Sequence, residues 1–167
     1  VLKKAEVFDA GYEAGEIIRE VCGVHPLQIT DIAPEQEEKI NELVAKRCEG
    51  IPLQYIFGKW EFYGYEFFVG DGVLIPRPET ELLIDIAVDN LTKDSTMLDL
   101  CSGTGCIPIA CAKETGCKAY GVELYDKAFS YFEKNIAHNN ADVTAVKGDA
   151  LDNSHFEGVW FDAVFSN

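Results

Sequence analysis

Asp99, Glu123 and Asp149 each close or follow a short apolar run, and a glycine turn, Cys101-Ser102-Gly103-Thr104-Gly105, comes directly after the first of them. These residue types in this order suit one kind of ligand. Glu123 stands 18 residues after Gly105, where a strand-end carboxylate can accept both hydroxyls of a ribose. Asp149, in Gly148-Asp149-Ala150, is placed to accept from an adenine amino group. Gly103 and Gly105 allow a tight turn and a close approach of backbone to ligand, because neither carries a Cβ. The third glycine of the dinucleotide fingerprint is replaced by Pro108, which speaks against a pyrophosphate held in the NAD manner. Asp99 adds a negative charge where the ligand tail should lie, and a carboxylate there suits an ammonium or sulfonium better than a phosphate. Singly, each acid reads equally well as a solvated turn residue or a helix cap. Together they point to an adenosine-bearing cation, S-adenosyl-L-methionine.

Positioning these groups requires strands that end side by side. From Thr96 the pattern alternates: a strand at 97–100, a helix from Gly105 to Lys113, a strand at 118–123, a helix over 126–139, a strand at 143–146 and a last strand at 161–166. Such alternation predicts a parallel sheet with helices on its faces, and an open α/β sheet binds at the carboxyl ends of its strands. Before it, 3–22 and 34–48 read as helices. The first is expected to bury Ala5, Phe8, Tyr12, Gly15 or Ala14, Ile18 and Cys22, and the second to present Ile40, Leu43 and Val44. Residues 51–75 are aromatic and β-branched with interspersed glycines, predicting a hairpin with strands near 60–63 and 66–69. Its simplest role is that of a connector. Pro76-Arg77-Pro78-Glu79-Thr80-Glu81 then leads into a helix over 79–91, expected to bury Leu82, Leu83, Ile86, Ala87 and Leu91. Arg77 reads best as the ion-pair partner of Glu79 or Glu81.

Composition narrows the function classes. The 167 residues carry a formal net charge of -15 and 47% hydrophobic residues. That charge repels polyphosphate and argues against direct nucleic-acid binding. No apolar run has the length of a membrane helix, and no leader-like segment opens the chain. The six cysteines form no C-x-x-C pair and the three histidines are scattered, which argues against zinc. The cysteines near the glycine turn read as small buried residues of a reduced, cytoplasmic protein.

Met-Leu-Asp-Leu-Cys-Ser-Gly-Thr-Gly-Cys-Ile (97–107), Gly-Val-Glu-Leu (121–124), Gly-Asp-Ala (148–150) and Phe-Asp-Ala-Val-Phe-Ser-Asn (161–167) resemble the motifs of class I methyltransferases. Ile-Pro-Leu-Gln-Tyr-Ile-Phe-Gly (51–58) and Val-Leu-Ile-Pro-Arg-Pro-Glu-Thr-Glu (73–81) are more specific. With the helical N-terminal part they resemble the HemK/PrmC-type enzymes, which methylate the glutamine side-chain amide of peptide chain release factors. The resemblance implies an α/β fold: a Rossmann-like parallel sheet with its first strand central and its fourth beside it, preceded by a small helical domain and a hairpin linker. The expected domains are 1–50 for substrate recognition, 51–78 as linker and 79–167 for S-adenosylmethionine binding. By the same resemblance, Asp99 and Cys101 to Gly105 hold the methionine end of the cofactor, Glu123 the ribose, and Asp149 with Ala150 the adenine. Asn167 contacts both cofactor and glutamine amide and is the expected catalytic residue. It is the first residue of an Asn-Pro-Pro-Tyr motif, so a polypeptide ending there is expected to be inactive alone. The alternatives are an adenine-N6 nucleic-acid methyltransferase, which uses the same motif, a ribosomal-protein glutamine methyltransferase, and a catalytically incomplete cofactor-binding fragment.

Overall fold

Asp9 starts the first helix. Its carboxylate accepts from the Tyr12 backbone N–H at 3.2 Å, α1 runs Ala10–Cys22, and Gly23 closes it at a φ of 70°. The computed structural model describes residues 1–167 and divides into two compact units, Val1–Phe57 and Gly58–Asn167. In the first unit, α1 follows a 3-10 turn at Leu2–Ala5 and precedes α2 (Pro34–Cys48) and the short α3 (Leu53–Phe57). Leu2, Ile17, Leu43 and Leu53 form its core, with Ala10, Ala14 and Val21 packed around them. The buried face of α1 is therefore 10, 14, 17 and 21, not the face through Phe8 and Tyr12, which are exposed. The cause is local. The turn before Asp9 ends with Glu6 in the left-handed region, so the helical phase expected across residues 3–9 does not exist. Glu13, on the same side of α1, is bonded by Arg47 of α2, whose Nη2 lies 3.2 Å from its Oε1. The residues of α3 have strand-like composition but form one helical turn on Pro52, whose carbonyl accepts from Tyr55 and Ile56. Proline at the head of a turn is favoured because its missing N–H would be unpaired there anyway.

The second unit opens with a hairpin, β1 (Lys59–Phe62) and β2 (Tyr65–Phe68), joined by Tyr63 and Gly64. Both turn residues have positive φ, 51° and 76°, which matches the twist of a two-residue hairpin. The hairpin is more than a connector. Phe62 and Phe67 are buried in the main core, and the Tyr63 and Tyr65 hydroxyls donate to Asp85 at 2.9 Å and Glu114 at 2.6 Å. It thus belongs with the sheet that follows, while residues 51–57 belong with the helices before.

After a 3-10 turn at Pro78–Thr80 come α4 (Glu81–Asn90), β3 (Thr96–Leu100), α5 (Cys106–Thr115), β4 (Lys118–Glu123), α6 (Asp126–Asn139), β5 (Val143–Lys147) and β6 (Ala163–Ser166). The strands are all parallel in the order β5-β4-β3-β6, with the first strand of the sheet central and the fourth beside it. The helix α5 is buried along most of its length because it packs on the sheet and is flanked by α4 and α6, through Ile107, Ile109, Ala110 and Cys111. In α4 the buried residues are Ile84 and Ala87, with Leu91 just beyond, while Leu82 and Ile86 are exposed. The tighter 3-10 entry rotates the helix away from the phase extrapolated from residue 79.

Candidate active site

Strand register brings the expected groups together. Leu100 pairs with Val122 on one side and with Ser166 on the other, and Glu123 pairs with Lys147. Cys101, Glu123 and Asn167 therefore stand one residue beyond equivalent positions on three adjacent strands. Gly148 donates to the Glu123 carbonyl at 3.1 Å, which leaves Asp149 at the same edge.

The glycine turn is held from beneath. Ser102 N donates to the Val122 carbonyl at 3.0 Å and Gly105 N to the Ser102 carbonyl at 2.7 Å. The Glu123 carboxylate accepts from Gly103 N at one oxygen and from Tyr125 N at the other, both at 2.8 Å, so it fixes the turn as well as ending its strand. The two glycines do different work. A Cβ on Gly103 would have only the Val73 Cγ2 near it, at 4.0 Å, whereas a Cβ on Gly105 would sit 2.0 Å from the Phe132 ring. Gly103 gives the open approach expected of a ligand turn; Gly105 is required by packing on α6. Cys101 has a φ of 62°, a left-handed conformation that costs a residue with a Cβ about 1 kcal/mol.

Asp99 is 1% exposed, and neither carboxylate oxygen has a hydrogen-bond partner. Burial pushes its pKa up to about 7, with the nearby Ser102 hydroxyl lowering it and the Glu123 carboxylate raising it further; the Ser102 hydroxyl itself donates to the Asp99 backbone carbonyl at 3.1 Å, not to the carboxyl. A buried acceptor left without a donor is costly unless a ligand supplies one. Two carboxylates beneath one turn, one of them unpartnered, fit a cation. Partial burial also raises the Cys101 thiol, and Glu123, Asp99 and Asp149 raise it further. These three acids thus act on one point at the turn, and Cys101 is not set up as a thiolate nucleophile.

Above the turn lies a cavity of about 290 Å³ lined by Leu74, Ile75, Pro76, Arg77, Thr80, Cys101, Ser102, Gly103, Thr104, Cys106, Ile107 and Asn167. It joins the proline-rich segment to the glycine turn and to Asn167. Asn167 Nδ2 donates to Thr80 Oγ1 at 2.5 Å. Arg77 makes no ion pair with Glu79 or Glu81. The flanking prolines hold it extended, at φ -104° and ψ 140°, and Glu81 instead accepts from the Tyr63 backbone N–H at 2.8 Å. Ala150 lies apart from this cavity, in a second one with Leu98, Leu100, Asn153, Phe156 and Phe161. Asp149 caps its own turn, accepting from Leu151 N at 2.9 Å.

Three supporting residues are not among the site residues expected from sequence. Asn135 is fully buried in α6. Its side chain accepts from Phe68 N at 2.7 Å and donates to the carbonyls of Phe68 at 3.1 Å and Thr104 at 2.9 Å, tying hairpin to glycine turn. The one signal for it is a polar residue at core spacing between Phe132 and Ile136. Gly121, paired with Asp99, leaves room for the Ser102 hydroxyl, which a Cβ would meet at 2.5 Å. Thr80 is the third.

Comparison with known proteins adds two matches along the chain. Residues 97–167 match the family described as methyltransferase domain, and residues 1–58 the PrmC N-terminal domain. Curated relatives described as release factor glutamine methyltransferases align with most of this chain. That of Thermodesulfovibrio yellowstonii is 39% identical over 77% of this chain and 49% of its own length, and that of Bacillus cereus 36% over 92% and 59%. The two family models and these relatives together support a HemK/PrmC-type chain. It spans about half the length of the curated relatives it matches. Among solved structures, the precorrin-6y C5,15-methyltransferase of Geobacter metallireducens superposes with a TM-score of 0.52 at 19% identity, over 60% of this chain and 52% of that one. The Pyrococcus abyssi tRNA (uracil-54, C5)-methyltransferase, solved with S-adenosyl-L-homocysteine, gives 0.52 at 18%, over 64% and 26%. At such identities the likeness is one of fold. No helix is long and apolar enough to cross a membrane.

Proposed function

We propose that this chain is the N-terminal part of a cytoplasmic enzyme that methylates the side-chain amide of a glutamine in peptide chain release factors, using S-adenosyl-L-methionine. The observation that carries the reading is the cavity in which Asn167 and the Pro76–Thr80 segment face the glycine turn. When bound, the cofactor supplies an electrophilic methyl group on a sulfonium centre. Asp99 and the turn from Cys101 to Gly105 hold its methionine end, Glu123 its ribose, and Asp149 with Ala150 its adenine. The unpartnered Asp99 carboxyl supports this, because the ammonium of the cofactor's methionine end would supply the donor it lacks.

An amide nitrogen is a weak nucleophile, since its lone pair is delocalised into the carbonyl. The Asn167 side-chain oxygen accepts from the substrate amide N–H, orients the nitrogen and enriches its electron density. Its contribution is positioning and electrostatics rather than removal of a proton by a strong base. Recognition of the release factor belongs to the helical unit Val1–Phe57. The test is transfer of labelled methyl from S-adenosylmethionine by the full-length protein. The expected result is labelling of a release factor that disappears when its target glutamine is replaced. Labelling of nucleic acid or of a ribosomal protein instead would refute the reading.

A further inference from the structure

Thr80 is an odd residue for its place. It stands immediately before α4, where threonine commonly caps a helix through its hydroxyl, yet it makes no capping bond there. It is 6% exposed, and a buried hydroxyl normally keeps a hydrogen-bond partner. Its partner is Asn167, 87 residues away, whose Nδ2 lies 2.5 Å from the Thr80 Oγ1. No other bond engages the Asn167 side chain. Both residues line the cavity above the glycine turn.

We propose that Thr80 is a positioning residue for Asn167: its hydroxyl anchors the Asn167 side chain through the NH2 group and so holds the amide in place over the glycine turn, where its oxygen meets the substrate amide. The inference rests on the function proposed above. An asparagine amide rotates about its last bond, and its two ends exchange donor for acceptor. A free Asn167 would offer the substrate N–H its own NH2 in part of the population, which repels where the oxygen attracts. Thr80 suits the task because a β-branched side chain is stiff about its first torsion. Its backbone is fixed as well: Thr80 N donates to the Arg77 carbonyl at 3.0 Å, and Pro76 and Pro78 restrict the approach. On this account the Pro-Arg-Pro-Glu-Thr segment is a rigid arm that places one hydroxyl.

The experiment compares wild type, Thr80→Val and Thr80→Ser in the full-length protein, measuring methyl transfer to release factor and cofactor affinity by calorimetry. Valine keeps the shape and removes the acceptor; serine keeps the acceptor. The expected result is a kcat lower by about tenfold to a hundredfold in Thr80→Val, the scale of a misplaced catalytic contact. Its melting temperature and cofactor affinity stay near wild type, and Thr80→Ser recovers most of the rate. An unchanged kcat in Thr80→Val overturns the inference. So does a loss shared by cofactor affinity and melting temperature that serine does not restore, which marks a packing role. A wild type that leaves release factor unmethylated refutes the proposed function itself, and this inference with it.

Discussion

Replacing Asp99 by Asn should make the cofactor-free chain more stable at neutral pH while weakening its hold on S-adenosylmethionine. Asp99 is buried with both oxygens unpartnered, and its pKa is pushed up to about 7 from an ordinary 3.8. Between those values the native state keeps a proton that the unfolded chain has lost. Stability therefore falls as pH rises, by about 1.4 kcal/mol per pH unit. The loss is absent below the unfolded value and complete above the folded one. Across the whole window it amounts to about 4 kcal/mol, of which about 3 kcal/mol falls between pH 5 and pH 8. Asparagine has no such titration. The assay is urea unfolding followed by tryptophan fluorescence. Trp60 and Trp160 are the only tryptophans of the chain and both lie in the Gly58–Asn167 unit, so the signal reports the unit that holds Asp99. The remaining acids contribute to both proteins alike, and the difference between the two pH dependences isolates residue 99. Wild type should lose about 3 kcal/mol relative to Asp99→Asn between pH 5 and pH 8. Parallel curves would refute the claim that Asp99 is protonated in the empty site. A variant that bound cofactor as well as wild type at pH 8 would refute the claim that this carboxylate serves the ligand's cation.

Glu123→Ala should weaken S-adenosylmethionine binding by about 1–3 kcal/mol, the scale of lost charge-assisted hydrogen bonds; unchanged calorimetric affinity would exclude Glu123 as the ribose acceptor. Gly105→Ala should destabilise by about 3 kcal/mol, combining left-handed backbone strain with overpacking on Phe132. Gly103→Ala, with open space at its Cβ, should cost only about 1 kcal/mol, and equal costs in denaturant melts would contradict this division of labour. Asn135→Ala should cost about 3 kcal/mol and speed hydrogen exchange at the Phe68 amide, whose acceptor it removes; unaltered exchange there would show that the hairpin is held by other means.

The sequence alone determined the alternation of strand and helix and the residues at the strand ends, because both are local. Period, glycine spacing and an acid at the close of an apolar run are visible in a few residues. β4, α2 and α6 fall where periodicity puts them, and register then leaves Cys101, Glu123 and Asn167 abreast. Helical phase was less legible. Phe8, Leu82 and Ile86 are apolar at plausible spacing, yet exposed, because the turns entering α1 and α4 break the rotation on which the spacing depends. What only the tertiary structure decided are contacts between residues far apart in the chain. Asn135 reaches the hairpin and the glycine turn, Phe132 makes Gly105 obligatory, and Thr80 meets Asn167 across 87 positions. No local pattern marks such pairs, since neither neighbourhood reports which distant residue it will meet. The burial that leaves Asp99 without a donor is likewise a property of the packed sheet, and it turns an ordinary strand-end acid into one that holds its proton to about pH 7 and lacks a hydrogen-bond partner.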